Sequence, residues 1–253
     1  VDNTFDKMFY CEGNLIGGVD ESGVSDIAGP LVAACVILPK IEIQKDDLKI
    51  FEISDSKEIH EKYRAGHAET IWQTALGIGI GEVTPEEIDY LGRIGSTKLA
   101  MFRAVAACKT PSQGKAIVPD YLLIDKSDSV VIPTTIRQNQ IEQGDTKSLC
   151  IAAASIVAKV YRDGIMRKLH ESYPHYNWIS NKGYPCDDHY RGLDSHGAQL
   201  GIHRLKRWPF KKNPKKKEDH RAWEKRRIRW RQVTLHYLQK EVGSKLWLSK
   251  PPF

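Results

Sequence analysis

Four acidic residues sit where they could do chemistry. Asp20 and Glu21 follow the apolar run Ile16-Gly17-Gly18-Val19, Asp125 follows Tyr121-Leu122-Leu123-Ile124, and Asp145 stands in Gln143-Gly144-Asp145, just before a long apolar stretch. Carboxylates at the ends of apolar strands are candidates for one shared cluster at a sheet edge. Like charges brought together repel, and a divalent cation is the natural compensation; hard oxygen donors favour Mg²⁺ or Mn²⁺. Two such ions can activate water and stabilise the leaving oxygen of a phosphodiester. Residue type alone does not group these four acids, because an Asp after a strand is commonly a turn former or a helix cap.

The elements that must position them are legible as pattern. Residues 15–19 and 31–38 are apolar and rich in β-branched types, and they read as two strands joined by a Gly/Asp/Ser/Pro turn. Residues 57–76 carry helix formers, with Ser54 or Ser56 as cap, and 77–83 predict a strand. Thr84-Pro85-Glu86-Glu87 begins a helix, with Thr at the cap, Pro at the first position and an acid in the capping-box place; the pattern continues, interrupted at Gly92, to about Ala107. Residues 121–124 predict a short strand ending in Asp125, and 130–132 another. From Thr146 to about Glu171 the pattern is helical, and its first half has so little polar surface that it belongs in the middle of a core. A shorter helix is expected over 188–196. Pro209 and Pro214 bracket a break before a charged helical stretch over 215–242. This order of elements predicts an α/β domain with a mixed sheet.

Composition sets the outer bounds. With 253 residues and 41% hydrophobic content, one folded domain plus an extension is the simplest plan. The net charge of +6 is uneven: from Lys211 to Arg231 there are 11 basic residues against Glu218, Asp219 and Glu224, a local net of +8, which leaves −2 for the rest. A uniformly basic, histone-like protein is excluded, and a near-neutral body with a polyanion-attracting tail is implied. No run of 18 apolar residues exists, so no membrane partner is expected, and the first 13 residues lack a signal-peptide core. The five cysteines (Cys11, Cys35, Cys108, Cys150 and Cys186) are odd in number and scattered, which reads as reduced thiols rather than a disulfide framework. Reduced thiols suit the cytoplasm; an organelle is the alternative if a targeting peptide preceded Val1.

The segments around the acids resemble the ribonuclease HII (type 2 ribonuclease H) family from about Leu15 to Phe210. Gly18-Val19-Asp20-Glu21-Ser22-Gly23 with Ala28-Gly29-Pro30 is similar to its opening motif, and Asp55-Ser56-Lys57 to its DSK element. Leu123-Ile124-Asp125 resembles the strand of the third acid. Gly144-Asp145 followed by Ile151 through Asp163 resembles the family's most recognisable stretch. Tyr173-Pro174-His175-Tyr176, Asn181-Lys182-Gly183-Tyr184-Pro185 with His189, and His203-Arg204 come next in family order.

The resemblance implies a ribonuclease H-like fold, with a mixed sheet flanked by helices and a C-terminal helical extension. It also implies two-metal endonucleolytic cleavage of the RNA strand of RNA–DNA hybrids, including at ribonucleotides embedded in duplex DNA, leaving a 3′-hydroxyl and a 5′-phosphate. Carried over by position, Asp20, Glu21, Asp125 and Asp145 are the catalytic and metal-binding set, with Mg²⁺ or Mn²⁺ as cofactor. Tyr184 matches the tyrosine that packs on a deoxyribose, Lys57, Lys182 and Arg204 fall where phosphate contacts are expected, and Gly23, Val24 and Ser25 occupy the substrate-reading loop. Ser155 and Lys159, one turn apart on the apolar helix, are expected to support packing. The implied plan is an N-terminal extension over 1–13, a ribonuclease H-like catalytic domain over 14–210 and a basic, mostly helical extension over 211–253, in a monomer.

The resemblance breaks in one loop. The family has Gly-Arg-Gly in its opening motif; here Gly23 is followed by Val24, Ser25 and Asp26. Loss of Arg removes a charge-assisted phosphate contact, and Asp26 is expected to add repulsion there. Lys126 stands where the family has Gly after the third acid, and with Asp128 it is expected to alter the local charge. The four carboxylates are all kept, so the break bears on specificity more than on hydrolysis. The alternative reading is a weak or inactive homologue that serves as a nucleic-acid-binding or ribonucleoprotein assembly factor. In it, residues 211–253, with Trp223 and Trp230 seven apart, contact RNA or a ribonucleoprotein.

Overall fold

The computed structural model describes residues 4–10, 15–40, 61–126, 130–206 and position 228. Lys57 with its DSK element, Asp128, and the basic stretch from Lys211 onward apart from position 228 lie outside the described residues. Among the described residues no helix is long and apolar enough to cross a membrane. The chain forms two compact units. The first draws on Val1–Val24, Leu31–Val83 and Leu91–Arg162, the second on Ser25–Pro30, Thr84–Tyr90 and Asp163–Phe253.

The first unit is built on a five-stranded mixed sheet. After a short helix α1 (Thr4–Lys7) come β1 (Ile16–Ser22), β2 (Leu31–Ile37), helix α2 (Glu61–Thr74), β3 (Gly77–Val83), helix α3 (Pro85–Ala106), β4 (Tyr121–Asp125) and β5 (Arg137–Ile141). The strand order is β3-β2-β1-β4-β5. β2 is antiparallel to both β1 and β3, whereas β4 runs parallel to β1 and β5 parallel to β4. β2 is buried along its whole length, as expected for an interior strand written Leu-Val-Ala-Ala-Cys-Val-Ile. Gly79 and Gly81 leave β3 bare enough for α3 to lie against it; an added Cβ at either would overlap the carbonyl oxygen of Ala104 or Ala100.

Two expectations needed adjustment. Residues 130–132 are not a strand; the strand is β5, whose Arg-Gln-Asn-Gln sequence lacks an apolar alternation. Its glutamines do the pairing instead. The Gln138 amide accepts from the Ile132 N–H and donates to the Ile132 carbonyl, both at 2.9 Å, and the Gln140 amide donates to the Val130 carbonyl at 3.0 Å. The long helix expected from Thr146 is split. Helix α4 (Gly144–Lys147) ends at Ser148, which takes an extended conformation, and helix α5 (Leu149–Ser172) begins anew. The Ser148 N–H closes α4 on the Gly144 carbonyl at 2.8 Å, while its hydroxyl accepts from the Ile151 N–H at 3.2 Å and so caps α5.

The second unit has a core of Ile27, Ala28, Met166, Tyr176, Trp178, Leu193 and Ala198. Short helices α6 (Trp178–Asn181) and α7 (Asp187–His196) belong to it. The capping box read from sequence is present. The Thr84 hydroxyl accepts from the Glu87 N–H at 3.3 Å, and the Glu87 carboxylate accepts from the Thr84 N–H at 2.9 Å. Thr84→Ala is expected to cost about 1 kcal/mol in a urea melt, the usual worth of such a cap; an unchanged midpoint would show that the box is not stabilising.

A hydrogen-bond chain runs through this core. The Gln199 N–H donates to His203 Nδ1 at 2.8 Å, the two histidines meet Nε2 to Nε2 at 3.1 Å, and Trp178 Nε1 donates to His189 Nε2 at 3.1 Å. Since His189 Nε2 accepts from Trp178, the network assigns the proton to His189 Nδ1, which donates to the Tyr184 carbonyl at 3.0 Å. Burial holds His189 down to about 4, and burial with the neighbouring His189 holds His203 well below its ordinary value. The unfolded chain therefore binds more protons than the folded one below the ordinary value of 6.5. The stability these neutral rings contribute is complete above that pH and is lost as the pH falls toward about 4. The thermal-midpoint difference between the wild-type chain and a His189→Asn variant is expected to be level above pH 6.5 and to shrink below it; a difference that grew on acidification would contradict the neutral network.

Candidate active site

The sheet register brings the first acids together. Val19 pairs with Ile124 across the parallel β1–β4 ladder, so the next step along both strands carries Asp20 and Asp125. Two residues earlier Gly18 opens the same face of β1. An added Cβ there would overlap the Cys150 carbonyl and the Ile151 nitrogen, so the start of α5 lies directly on the strand. One helical turn further on, the Ser155 hydroxyl hydrogen-bonds the Asp20 carboxylate. Asp145 sits in the first turn of α4, and the preceding Gly144 N–H donates to Asp125 Oδ1 at 2.7 Å.

The electrostatics are those of a site in need of positive charge. Asp20 and Asp145 are buried, and Glu21 and Asp125 are half-buried. Burial pushes the Asp20 carboxyl well above the ordinary carboxylate value, and the negative charges of Glu21 and Asp125 push it further. The Ser155 hydroxyl and the Glu21 N–H, which donates to Asp20 Oδ1 at 2.7 Å, oppose this only in part. A cation would relieve the same repulsion, and the donors are the hard oxygens that Mg²⁺ and Mn²⁺ take. Among the described residues no three His, Cys, Asp or Glu side chains already form a group that could hold a metal ion. The acids are gathered without being closed into a cage.

Gly23, at the head of the loop after β1, has φ +95°, and an added Cβ would fall on the Arg162 side chain, which is fully buried beneath it. This explains why the first loop glycine is kept while its neighbours differ. Val24 is half-buried and Ser25 exposed. Asp26 is turned inside at 9% exposure, so it does not present the solvent-facing repulsion expected of it.

In the second unit Tyr184 is 55% exposed, with its backbone held by His189, a presentation suited to stacking. Lys182 is buried, and its ammonium donates to the Ile179 carbonyl at 2.6 Å. Arg204 is fully buried, and its guanidinium donates to the carbonyls of Gly29, Asp26 and Pro30 at 3.0–3.1 Å, which ties down residues 26–30. Sequence reasoning gave Ser155 a packing role and passed over Arg162. A serine or arginine beside an apolar run carries no pattern that reveals its partner.

Comparison with known proteins bears on the family and on the fold. The family model described as Ribonuclease HII matches residues 17–213. Ribonuclease HII of Caldanaerobacter subterraneus subsp. tengcongensis is 43% identical over 201 residues, covering 79% of this chain and 77% of that protein. The crystal structure of ribonuclease H2 from Pyrococcus horikoshii superposes with a TM-score of 0.67 at 22% identity, covering 86% of this chain and 99% of that one. The Mn²⁺ complex of Bst ribonuclease HIII superposes with a TM-score of 0.60 at 16% identity, covering 90% and 72%.

Proposed function

Since this chain belongs to the ribonuclease HII family of endoribonucleases, we propose that it hydrolyses the RNA strand of RNA–DNA hybrids at the carboxylate cluster of its first unit. The observation that carries this reading is the convergence on Asp20, a buried carboxyl set beside Asp125 by the sheet register and raised by the charges of Glu21 and Asp125. Asp20, Glu21, Asp125 and Asp145 would hold the divalent ions. Mn²⁺ is bound by the Bst ribonuclease HIII of the same fold, and Mg²⁺ offers the same hard-cation chemistry. When bound, such ions supply Lewis acidity toward water and toward the phosphodiester.

The chain's own residues do the rest. Ser155 holds Asp20 by a hydrogen bond, and the Gly144 N–H orients Asp125. Tyr184 offers an exposed ring for a sugar face. Gly23 sets the loop that approaches the ribonucleotide, with Val24 in place of the family arginine, so ribonucleotide selectivity rests on backbone groups and Ser25 rather than on a charged side chain. Arg204 acts by fixing local backbone, since its buried guanidinium donates to three carbonyls; Lys182 bonds the Ile179 carbonyl with one of its three ammonium protons. The reading as a non-catalytic assembly factor is not favoured, because relatives at about 40% identity over most of the chain bear the enzyme's name. RNA or ribonucleoprotein contact through 211–253 stays a separate proposal, tested by deleting that stretch and measuring binding.

The test is cleavage of three matched duplexes, a hybrid, a DNA with one embedded ribonucleotide and an all-DNA control, with Mg²⁺ or Mn²⁺. Metal-dependent products ending in 3′-hydroxyl and 5′-phosphate are expected from the first two. No cleavage of either with either ion would sink the reading.

A further inference from the structure

The residues before the first strand are not an appendage to the site. Asp6, in α1, is 1% exposed. Its Oδ2 accepts from the Cys150 N–H at 3.1 Å, and it also hydrogen-bonds the Ser148 side chain. Cys150 is the second residue of α5, whose first four N–H groups have no partner within the helix. Ser148 takes the Ile151 N–H, so Asp6 and Ser148 divide two of these orphan donors between them. A carboxylate at that end also meets the positive end of the helix dipole. Around it Phe5, Phe9 and Tyr10 pack on the cluster of Ile16, Leu123, Ile141 and Ile151, two of which lie within two residues of an end of β4 or α5 that bears on the site.

The same first turn of α5 is the part of the helix that matters to the carboxylates. Its Cys150–Ile151 backbone rests on Gly18, two residues before Asp20, and Ser155 one turn on bonds Asp20. Upstream, Ser148 closes α4, which carries Asp145. Burial pushes the Asp6 carboxyl up, and the Ser148, Cys150 and Leu149 groups pull it back only in part, so an acid is kept inside at a cost that a merely apolar latch would avoid. The family match begins at residue 17, after Asp6.

We infer that Asp6 is a positioning residue for the carboxylate cluster, acting from outside the matched family region by capping the start of α5 and so setting where Ser155, Asp20 and Asp145 stand. This rests on the proposed function, in which the cluster holds divalent metal.

The experiment compares the full chain with Asp6→Asn, which keeps shape and one acceptor oxygen, and Asp6→Ala, which keeps neither. Mn²⁺ affinity is read by titration of free Mn²⁺ by electron paramagnetic resonance, alongside kcat and KM on a hybrid and a thermal midpoint. Outer residues that orient ligands cost about 10- to 100-fold in metal affinity or activity when removed. The expected result is a fall of that size in Mn²⁺ affinity and kcat for Ala, a smaller fall for Asn, and an unchanged KM for hybrid. Mn²⁺ affinity within twofold of wild type in both variants overturns the inference, even if the thermal midpoint drops, because the role would then be structural only. A wild-type chain that neither binds Mn²⁺ nor cleaves hybrid is a different result, and it overturns the functional reading instead.

Discussion

Asp125→Asn is expected to abolish hybrid cleavage while leaving the fold as stable as before, or slightly more so. The substitution keeps the size of the side chain, and the amide oxygen can still accept the Gly144 N–H that now bonds Asp125 Oδ1 at 2.7 Å. It removes one negative charge beside buried Asp20, whose carboxyl is already raised by burial and by the charges of Glu21 and Asp125. Relief of that repulsion favours the metal-free fold. In the proposed function the same charge is a ligand for the cation, and metal ions contribute several kcal/mol to the transition state, so the rate should fall on the order of a thousandfold. Initial rates in saturating Mn²⁺ and a thermal midpoint taken on the same preparation decide the matter. Near-wild-type cleavage would remove Asp125 from the site, and a collapsed midpoint would recast it as a structural residue.

The largest stability effect is expected at Gly18. An alanine methyl there would overlap the backbone of Cys150 and Ile151 rather than the end of a flexible side chain, so no rotamer change relieves it. Either α5 lifts off β1 or β1 bends. Overpacking of this kind costs about 3 kcal/mol or more, which for a chain of this size lowers the midpoint by roughly 6–12 °C. Because the displaced contact separates Asp20 from the helix that carries Ser155, activity should fall as well. The control is Gly66→Ala in α2, where an added Cβ meets nothing within 4 Å; there the better helix propensity of Ala should stabilise by up to about 1 kcal/mol. If Gly18→Ala melts like wild type, the close approach of strand and helix is not a real constraint.

Most of the sheet was legible because its interior strands bury both faces. Runs such as Leu-Val-Ala-Ala-Cys-Val-Ile admit few other readings, and the edge strand β3 (Gly77–Val83), which is also largely buried, matched residue for residue. β5 was missed because an edge strand need not be apolar, and because its glutamine amides reproduce the pairing that residues 130–132 would otherwise have made with backbone. The break at Ser148 was missed because Thr-Lys-Ser-Leu offers no helix breaker. The interruption comes from the capping geometry of Ser148 and from Asp6, which lies 144 residues away from Cys150 in the chain.

The same division holds at the site. Sequence alone determined the candidacy of the four acids, the apolar runs that stop at Asp20 and Asp125, and, through motif order, the family, although β1 itself continues past Asp20 to Ser22. Those are local properties: which residues are apolar, where the apolar runs stop, and which side chains stand at their ends. Tertiary structure alone decided which acids become neighbours, since only the parallel register of β1 and β4 sets Asp20 beside Asp125. It also decided the roles of residues whose type is uninformative. Arg204 reads as a phosphate ligand in sequence, yet its guanidinium is buried on three carbonyls; Ser155 reads as a packing residue, yet it bonds Asp20, and Asp6, which no motif marks, caps the helix behind it. A buried polar group must find a partner, and that partner is chosen by distance in space, which no spacing along the chain encodes.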